Sequence, residues 1–223
     1  MAAKRFGIVA ALPRELALLV GKLKPDAVSL EQGIARYELP NAVVVAAGMG
    51  AGRAMLAVEA CGDVETLISV GLAGACSPRL MPGSVAEARV VLDTQTGERY
   101  GAASTTDIVL ATTPVIASVA EKARLALAYD AAMVDMEAAA VARLARTRDL
   151  PFRAIKAISD AHDFELEGLS KFAGPRGEFR TGAFALYTAL RPAMWPKAIK
   201  LGGDSSRALK ALTAKLQQVI AEP

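Results

Sequence analysis

Short unbroken apolar runs alternate along this chain with longer stretches of mixed polarity. Phe6 to Leu12, Ala42 to Ala47, Thr66 to Val70, Met133 to Met136 and Phe152 to Ile158 are apolar at nearly every position. That is the pattern of strands covered on both faces of a sheet. Ser84 to Leu92 alternates well enough to be a half-exposed strand, and Asp107 to Ala111 is a further short one. Ala27 to Leu39 alternates loosely and reads as a strand kinked at Gly33. Helical patterns fill the gaps: Glu15 to Leu23, Arg53 to Cys61, Ser118 to Tyr129, an alanine-rich run to about Arg146, and Thr181 to Ile220. Pro192, Pro196 and Gly202-Gly203 are expected to interrupt the last of these. Asp163 to about Arg180 is polar and glycine-containing, which suits a loop or lid. Buried strands alternating with helices indicate an α/β sheet with both faces covered.

The pattern is organised around Ala131 to Ala140, where strand runs straight into helix and two carboxylates, Asp135 and Glu137, sit at the junction. Ligands of open α/β sheets gather at strand carboxyl ends. Acids at a helix start are also stabilised by the backbone dipole, so spacing alone leaves capping and function open. Glu15 and Asp160 end two other strands in the same way. The loops Gly48 to Gly52 and Gly71 to Gly74 follow two more. Bare glycine lets backbone N–H groups approach a ligand closely, and also simply permits a tight turn.

Composition narrows the classes. The 223 residues are 53% hydrophobic but only 5% aromatic, so one core of Ala, Leu and Val is expected. The reading is a single domain, 1–223, with 181–223 as a helical C-terminal extension. A net charge of +3 is too small to argue for nucleic acid. Cys61 and Cys76 have no CxxC spacing, and His162 is the lone histidine. No metal site or disulfide framework is expected, and a cytoplasmic location is the default. Pro13, Arg14 and Glu15 break the apolar N-terminal run, which argues against a signal peptide. No segment reaches the roughly 18 apolar residues of a membrane span. Gly48-x-Gly50-x-Gly52 has Arg53 at the sixth position and follows a middle strand, so no dinucleotide, and no cofactor at all, is expected.

Ala10-Ala11-Leu12-Pro13-Arg14-Glu15, Gly48-Met49-Gly50, Gly71-Leu72-Ala73-Gly74, Val134-Asp135-Met136-Glu137-Ala138 and Ala157-Ile158-Ser159-Asp160 occur in this order. Together they resemble the purine nucleoside and uridine phosphorylase superfamily, and most closely its nucleosidase branch, from about Phe6 to Asp160. The resemblance implies a three-layer α/β/α sandwich around a mixed, partly closed central sheet. It implies cleavage of a purine N-glycosidic bond by a homodimer. It matches Glu15 to the acid that activates water, and Met136 and Glu137 to the ribose contacts. Asp160 matches the acid that protonates purine N7, with Ser159 helping to hold it. Gly50, Ala73 and Gly74 fall among the substrate-binding turns. The chemistry fits these acids: the breaking bond leaves positive charge on ribose and negative charge on the base. Asp160 would have to carry a proton near neutral pH, held there by burial or by hydrogen bonds.

The chain departs from that branch in places. Leu72 stands where those nucleosidases carry serine. The stretch from Gly83 to Asp135 is shorter. Thr112-Thr113-Pro114-Val115 stands where a phenylalanine usually stacks on adenine. Leu190 to Lys197 and the basic stretch to Lys215 resemble hopanoid-associated phosphorylases, which are linked to adenosylhopane, a lipid-tailed nucleoside. Residues 191–223 carry six cationic and two acidic side chains and the lone tryptophan, Trp195. Such a segment suits peripheral contact with a membrane surface or an amphipathic helix packed on the body. Glu15 favours water as the acceptor. Phosphate is the alternative and would need converging cations, for which Arg14 and Arg53 are the candidates. A non-catalytic nucleoside-binding relative is the other class of function, because fold alone does not fix activity.

Overall fold

The computed structural model describes residues 4–165, 168–172, 174 and 177–221. Strand β1 (Lys4–Ala10) is buried from Phe6 onward and passes into helix α1 (Pro13–Val20). Pro13 opens that helix, where its missing N–H costs nothing. Ala27 to Leu39 is not one kinked strand. Asp26 accepts from the Ser29 N–H at 2.8 Å and starts helix α2 (Ala27–Glu31), and only Ala35–Glu38 forms strand β2. The local side-chain cap outweighs a weak alternation.

Strand β3 (Ala42–Ala46) and helix α3 (Ala51–Cys61) flank the first glycine turn as the pattern predicts. The second glycine stretch is no turn. Strand β4 runs from Val64 to Ala75, straight through Gly71 to Gly74. Strand β10 pairs along the whole stretch, with Lys156 opposite Gly71, and β9 joins on the other side only at Gly74, opposite Val134.

Ser84 to Leu92 forms two strands, β5 (Val85–Ala88) and β6 (Val90–Asp93), divided at Arg89. A short strand that the pattern did not announce, β7 (Arg99–Gly101), pairs with β6. Strand β8 (Val109–Thr112), helix α4 (Val119–Tyr129), strand β9 (Ala131–Asp135), helix α5 (Ala138–Thr147) and strand β10 (Phe152–Asp160) follow. The chain then passes a short 3₁₀ turn at Leu169–Phe172 into helix α6 (Thr181–Ala189). A second 3₁₀ turn holds Pro192, and helix α7 (Trp195–Ala221) takes Pro196 in its first turn. Gly202-Gly203 does not interrupt α7, because packing of its inner face outweighs glycine's low helix propensity.

Among the described residues, the ten strands belong to one mixed sheet. Its main path runs β2-β3-β1-β4-β9-β8-β6-β7, with β10 branching from β4 and carrying β5. The two ends of that path, β2 and β7, are not paired with one another. Helices cover both faces. On one, α3 and α5 bury Ala57, Val58 and the run Ala138 to Ala142 against Val9, Leu67 and Met133. On the other, α1 and the last turns of α7 bury Leu16, Leu212, Leu216 and Val219 against Ile8, Ile68 and Ile155. Helix α4 packs Leu125 on Ala111 and Val134 in a smaller cluster. Among the described residues no helix is long and apolar enough to cross a membrane.

Candidate active site

Strand β1 lies parallel to β3 and β4, so its carboxyl end arrives level with the middle of β4. Strand β9 is antiparallel to β4 and ends on the same level from the other direction. Strand β10 runs parallel to β4 and reaches Gly74 with Asp160. The acids from three strand ends therefore meet along the carboxyl-terminal part of β4, from Leu72 to Gly74. A cavity of about 430 Å³ opens there, and Glu15, Glu137 and Asp160 all line it.

Glu15 is buried and firmly held. Its Oε2 accepts from the N–H groups of Ala11 at 3.1 Å and Leu12 at 2.9 Å, and its Oε1 from Leu72 N–H at 2.9 Å. The third bond ties α1 to β4. It is possible because residue 71 is glycine: a Cβ there would lie 3.0 Å from both carboxylate oxygens, and φ is +126°. Leu72, which stands where serine was expected, thus serves Glu15 through its backbone.

Glu137 is the last residue before α5. Its Oε1 accepts from Gly50 N–H at 2.8 Å, which ties the first glycine turn to this site. Burial, and then the neighbouring Asp135 carboxylate, push its carboxyl up to about 7, while the Lys156 ammonium and the Gly50 N–H pull the other way. Met136 lines the cavity beside it. Asp135 itself has a structural role in addition to bordering the cavity. It accepts from Thr112 hydroxyl at 2.7 Å and Ala138 N–H at 2.9 Å, and meets the buried Lys156 ammonium at 2.8 Å. Lys156 also donates to Ser69 hydroxyl at 2.9 Å, so the pair is fully hydrogen-bonded inside the sheet. The two acids at the strand-to-helix junction therefore divide: Asp135 caps the helix and Glu137 faces the cavity.

Asp160 sits at a register shift in the β10 ladder, between Ile158 and Asp160. Such an irregularity re-aims side chains. Ser159 donates to Asp160 Oδ1 and lies 3.2 Å from the Ala73 carbonyl oxygen. On the other side, Lys122 of α4 donates to Asp160 Oδ2. Hydrogen bonds were expected to hold this acid, with Ser159 among them; the buried ammonium against it was not expected. Ala73 and Gly74 line the cavity between these groups, and a Cβ at residue 74 would lie 3.0 Å from Asp160 Oδ2.

The remaining wall comes from the chain's end. Phe179, Phe184 and, on α7, Ala198, Leu201 and Leu209 line the cavity. Phe179 and Phe184 pack edge to face with centroids 5.7 Å apart. The segment that carries Phe179 docks on the first glycine turn: Met49 N–H donates to Gly177 carbonyl at 2.7 Å. Of the proposed phosphate ligands, Arg53 is directed elsewhere, donating to the Gly33 and Ala47 carbonyls. Arg14 borders the cavity with its guanidinium 5.3 Å from the Phe179 ring centre. His162 lies half-buried in the turn after β10. Among the described residues no group of His, Cys, Asp and Glu could hold a metal ion.

Sequence reasoning missed Lys122, Phe179, Phe184 and the α7 wall. Lys122 had a legible signal, since it falls three residues from both Val119 and Leu125 on the helix's inner face. The two phenylalanines had none, because tertiary packing far from the acids' strands brings them to the cavity.

A mixed sheet with helices on both faces is a fold this chain shares with solved nucleosidase structures. The family model described as "Phosphorylase superfamily" matches residues 94–178. No curated protein matches the sequence. Among solved structures, the 5′-methylthioadenosine/S-adenosylhomocysteine nucleosidase of Helicobacter pylori matches with a TM-score of 0.67 at 14% identity, covering 98% of this chain and 100% of that one. The futalosine hydrolase of Helicobacter pylori matches with a TM-score of 0.67 at 16% identity, covering 97% and 98%. The 5′-methylthioadenosine nucleosidase of Arabidopsis thaliana matches with a TM-score of 0.67 at 18% identity, covering 100% and 98%.

Proposed function

We propose that this protein cleaves the N-glycosidic bond of a purine nucleoside, an adenosyl compound, with water as the acceptor. The observation that carries this reading is the convergence of Glu15, Glu137 and Asp160 on one cavity. Three acids at these stations suit a reaction in which ribose gains positive charge while the base leaves with the bonding electron pair. Glu137 accepts from the ribose hydroxyls. Met136 packs against the sugar. Glu15, its carboxylate fixed by three backbone N–H groups, takes the proton of the attacking water. Asp160, held by Ser159, faces the purine imidazole edge. Phe179 and Phe184 supply aromatic surface that Thr112 to Val115 lack.

Phosphate is the weaker acceptor. Of the two proposed ligands, Arg53 is committed to carbonyls and only Arg14 borders the cavity, beside several carboxyl groups. A dianion there would meet repulsion without the convergent donors it requires.

An apolar 5′ substituent, as on a lipid-tailed adenosyl nucleoside, is favoured by one further observation. The α6–α7 wall presents Phe184, Ala198, Leu201 and Leu209 beside Thr181, Ser205 and Ser206, and Leu186, Leu190, Trp195 and Ile199 stand exposed on the same segment. An exposed apolar surface beside a cavity marks a place for an apolar partner. Product analysis with several adenosyl compounds, each with and without phosphate, tests the whole reading. Free adenine and a free sugar hemiacetal are expected in phosphate-free buffer, with faster turnover as the 5′ group becomes more apolar. Dependence on phosphate with release of a sugar 1-phosphate would overturn the hydrolytic part, and no base release from any of them would overturn the reading itself.

A further inference from the structure

We infer that Lys122 is the positioning residue of the base-leaving step, and that the Lys122–Asp160 pair, rather than Asp160 alone, stores the proton the departing base takes. This rests on the functional reading above. Lys122 is 3% exposed, although it stands on a surface helix. Its ammonium has three acceptors around it: Asp160 Oδ2, the Ala161 carbonyl at 2.9 Å and the Phe164 carbonyl at 3.3 Å. A buried ammonium costs several kcal/mol of desolvation unless it is paired and hydrogen-bonded, as this one is.

Leu125, on the same face of α4, joins an apolar cluster with Ala111 and Val134. The stem of Lys122 packs against Gly74, where a Cβ would fall 3.0 Å from Lys122 Cε. Lysine and glycine therefore fit together as a unit behind the acid. Lys122 does not itself border the cavity, whereas Asp160 does. Its influence on a ligand must pass through Asp160, whose other oxygen Ser159 holds.

Among the described residues, these titratable groups lie around the pair. Glu121 on α4 is turned to Arg124 at 2.7 Å, and Glu165 accepts from Val119 N–H at 3.3 Å. His162 lies two residues beyond Asp160. The Cys76 thiol at the end of β4 is pushed up to about 12 by burial, with the Lys122 ammonium pulling against that, so it stays a neutral neighbour.

In the cleavage step the C1′–N9 bond breaks and its electron pair goes to the base. One proton passes from the pair to N7, leaving a neutral amine beside the Asp160 carboxylate. Water bonds to C1′ and gives a proton to Glu15. Exchange with solvent after product release returns a proton to the amine and removes the one on Glu15.

The test compares two leaving groups in Lys122→Met. On an adenosyl nucleoside at neutral pH the variant should lose about 10²–10⁴-fold in kcat, the usual worth of a positioned acid. On a riboside that releases nitrophenolate, which leaves without a proton, it should keep its rate within about threefold. The second substrate also reports that the site is folded, and Lys122→Gln repeats the comparison should the methionine variant be unstable. Calorimetry of adenine binding in buffers of different ionisation enthalpy gives a readout without turnover: the variant should take up a proton from buffer and the wild type should not. Equal losses on both substrates, or identical proton uptake, would overturn this inference while leaving the functional reading intact. A wild type that neither releases base nor binds adenine would overturn both.

Discussion

Residue 71 illustrates how closely this site is drawn. The Leu72 N–H reaches Glu15 because nothing projects from the preceding Cα, and the backbone there adopts a φ of +126° that side chains disfavour. Gly71→Ala should therefore push Glu15 aside and strain the strand at once. The variant is expected to keep its circular dichroism spectrum and lose at least about tenfold in kcat, within the range that a misplaced base costs. Unchanged kcat would separate Glu15 from the attack on the sugar. The same scale explains why Asp135 and Glu137, two residues apart in sequence, have different roles. Lys156 and Thr112 engage the first, while the second meets the Gly50 N–H and the cavity.

At the scale of elements, α7 has two functions along one length. Its last turns fill the core with Leu212, Leu216 and Val219, and its first turns wall the cavity with Ala198 and Leu201. Gly202 and Gly203 fall within the walling part, which continues to Leu209, and a Cβ at either would meet nothing within 4 Å. Both are in an ordinary helical run, so their cost is conformational entropy. Gly203→Ala should raise the unfolding free energy by about 0.5–1 kcal/mol, read from denaturant midpoints at constant m. A loss of stability would mean that the helix needs flexibility at this point, as a moving wall would.

For the molecule as a whole, the clustered acids make stability depend on pH. Burial raises Glu137 from its ordinary 4.5 to about 7, so the folded chain binds that proton more tightly than the unfolded one. Its contribution to stability is complete below about pH 4.5 and is lost as pH climbs through about 7. Glu137→Gln removes the ionisation. Relative to wild type it should gain on the order of 1–3 kcal/mol between acid and slightly alkaline pH, while losing affinity for the ribose hydroxyls. Parallel thermal melts of both proteins across that range check the sign. A difference that does not change with pH would remove Glu137 as its source. Burying a carboxyl in this way trades stability for a site prepared to accept from sugar hydroxyls.

Most strands, most helices and the acids Glu15, Glu137 and Asp160 were legible in the sequence, because burial on two faces writes continuous apolar runs and glycine and proline mark their ends. The second glycine stretch misled, since its glycines serve close approach inside a strand and that depends on neighbours from β10 and β9. Helix α2 was lost to a local cap, and the bend at Arg89 to a change of sheet partner. Spacing left open which of Asp135 and Glu137 caps the helix, and only the motif resemblance singled out Glu137, because Lys156 and Thr112, which engage Asp135, come from distant strands. The ammonium of Lys122 against Asp160, 38 residues apart, and the phenylalanines of the last wall belong to the same category. Local periodicity reports what a segment buries; only long-range pairing decides which charges are brought together and which side chains close the cavity.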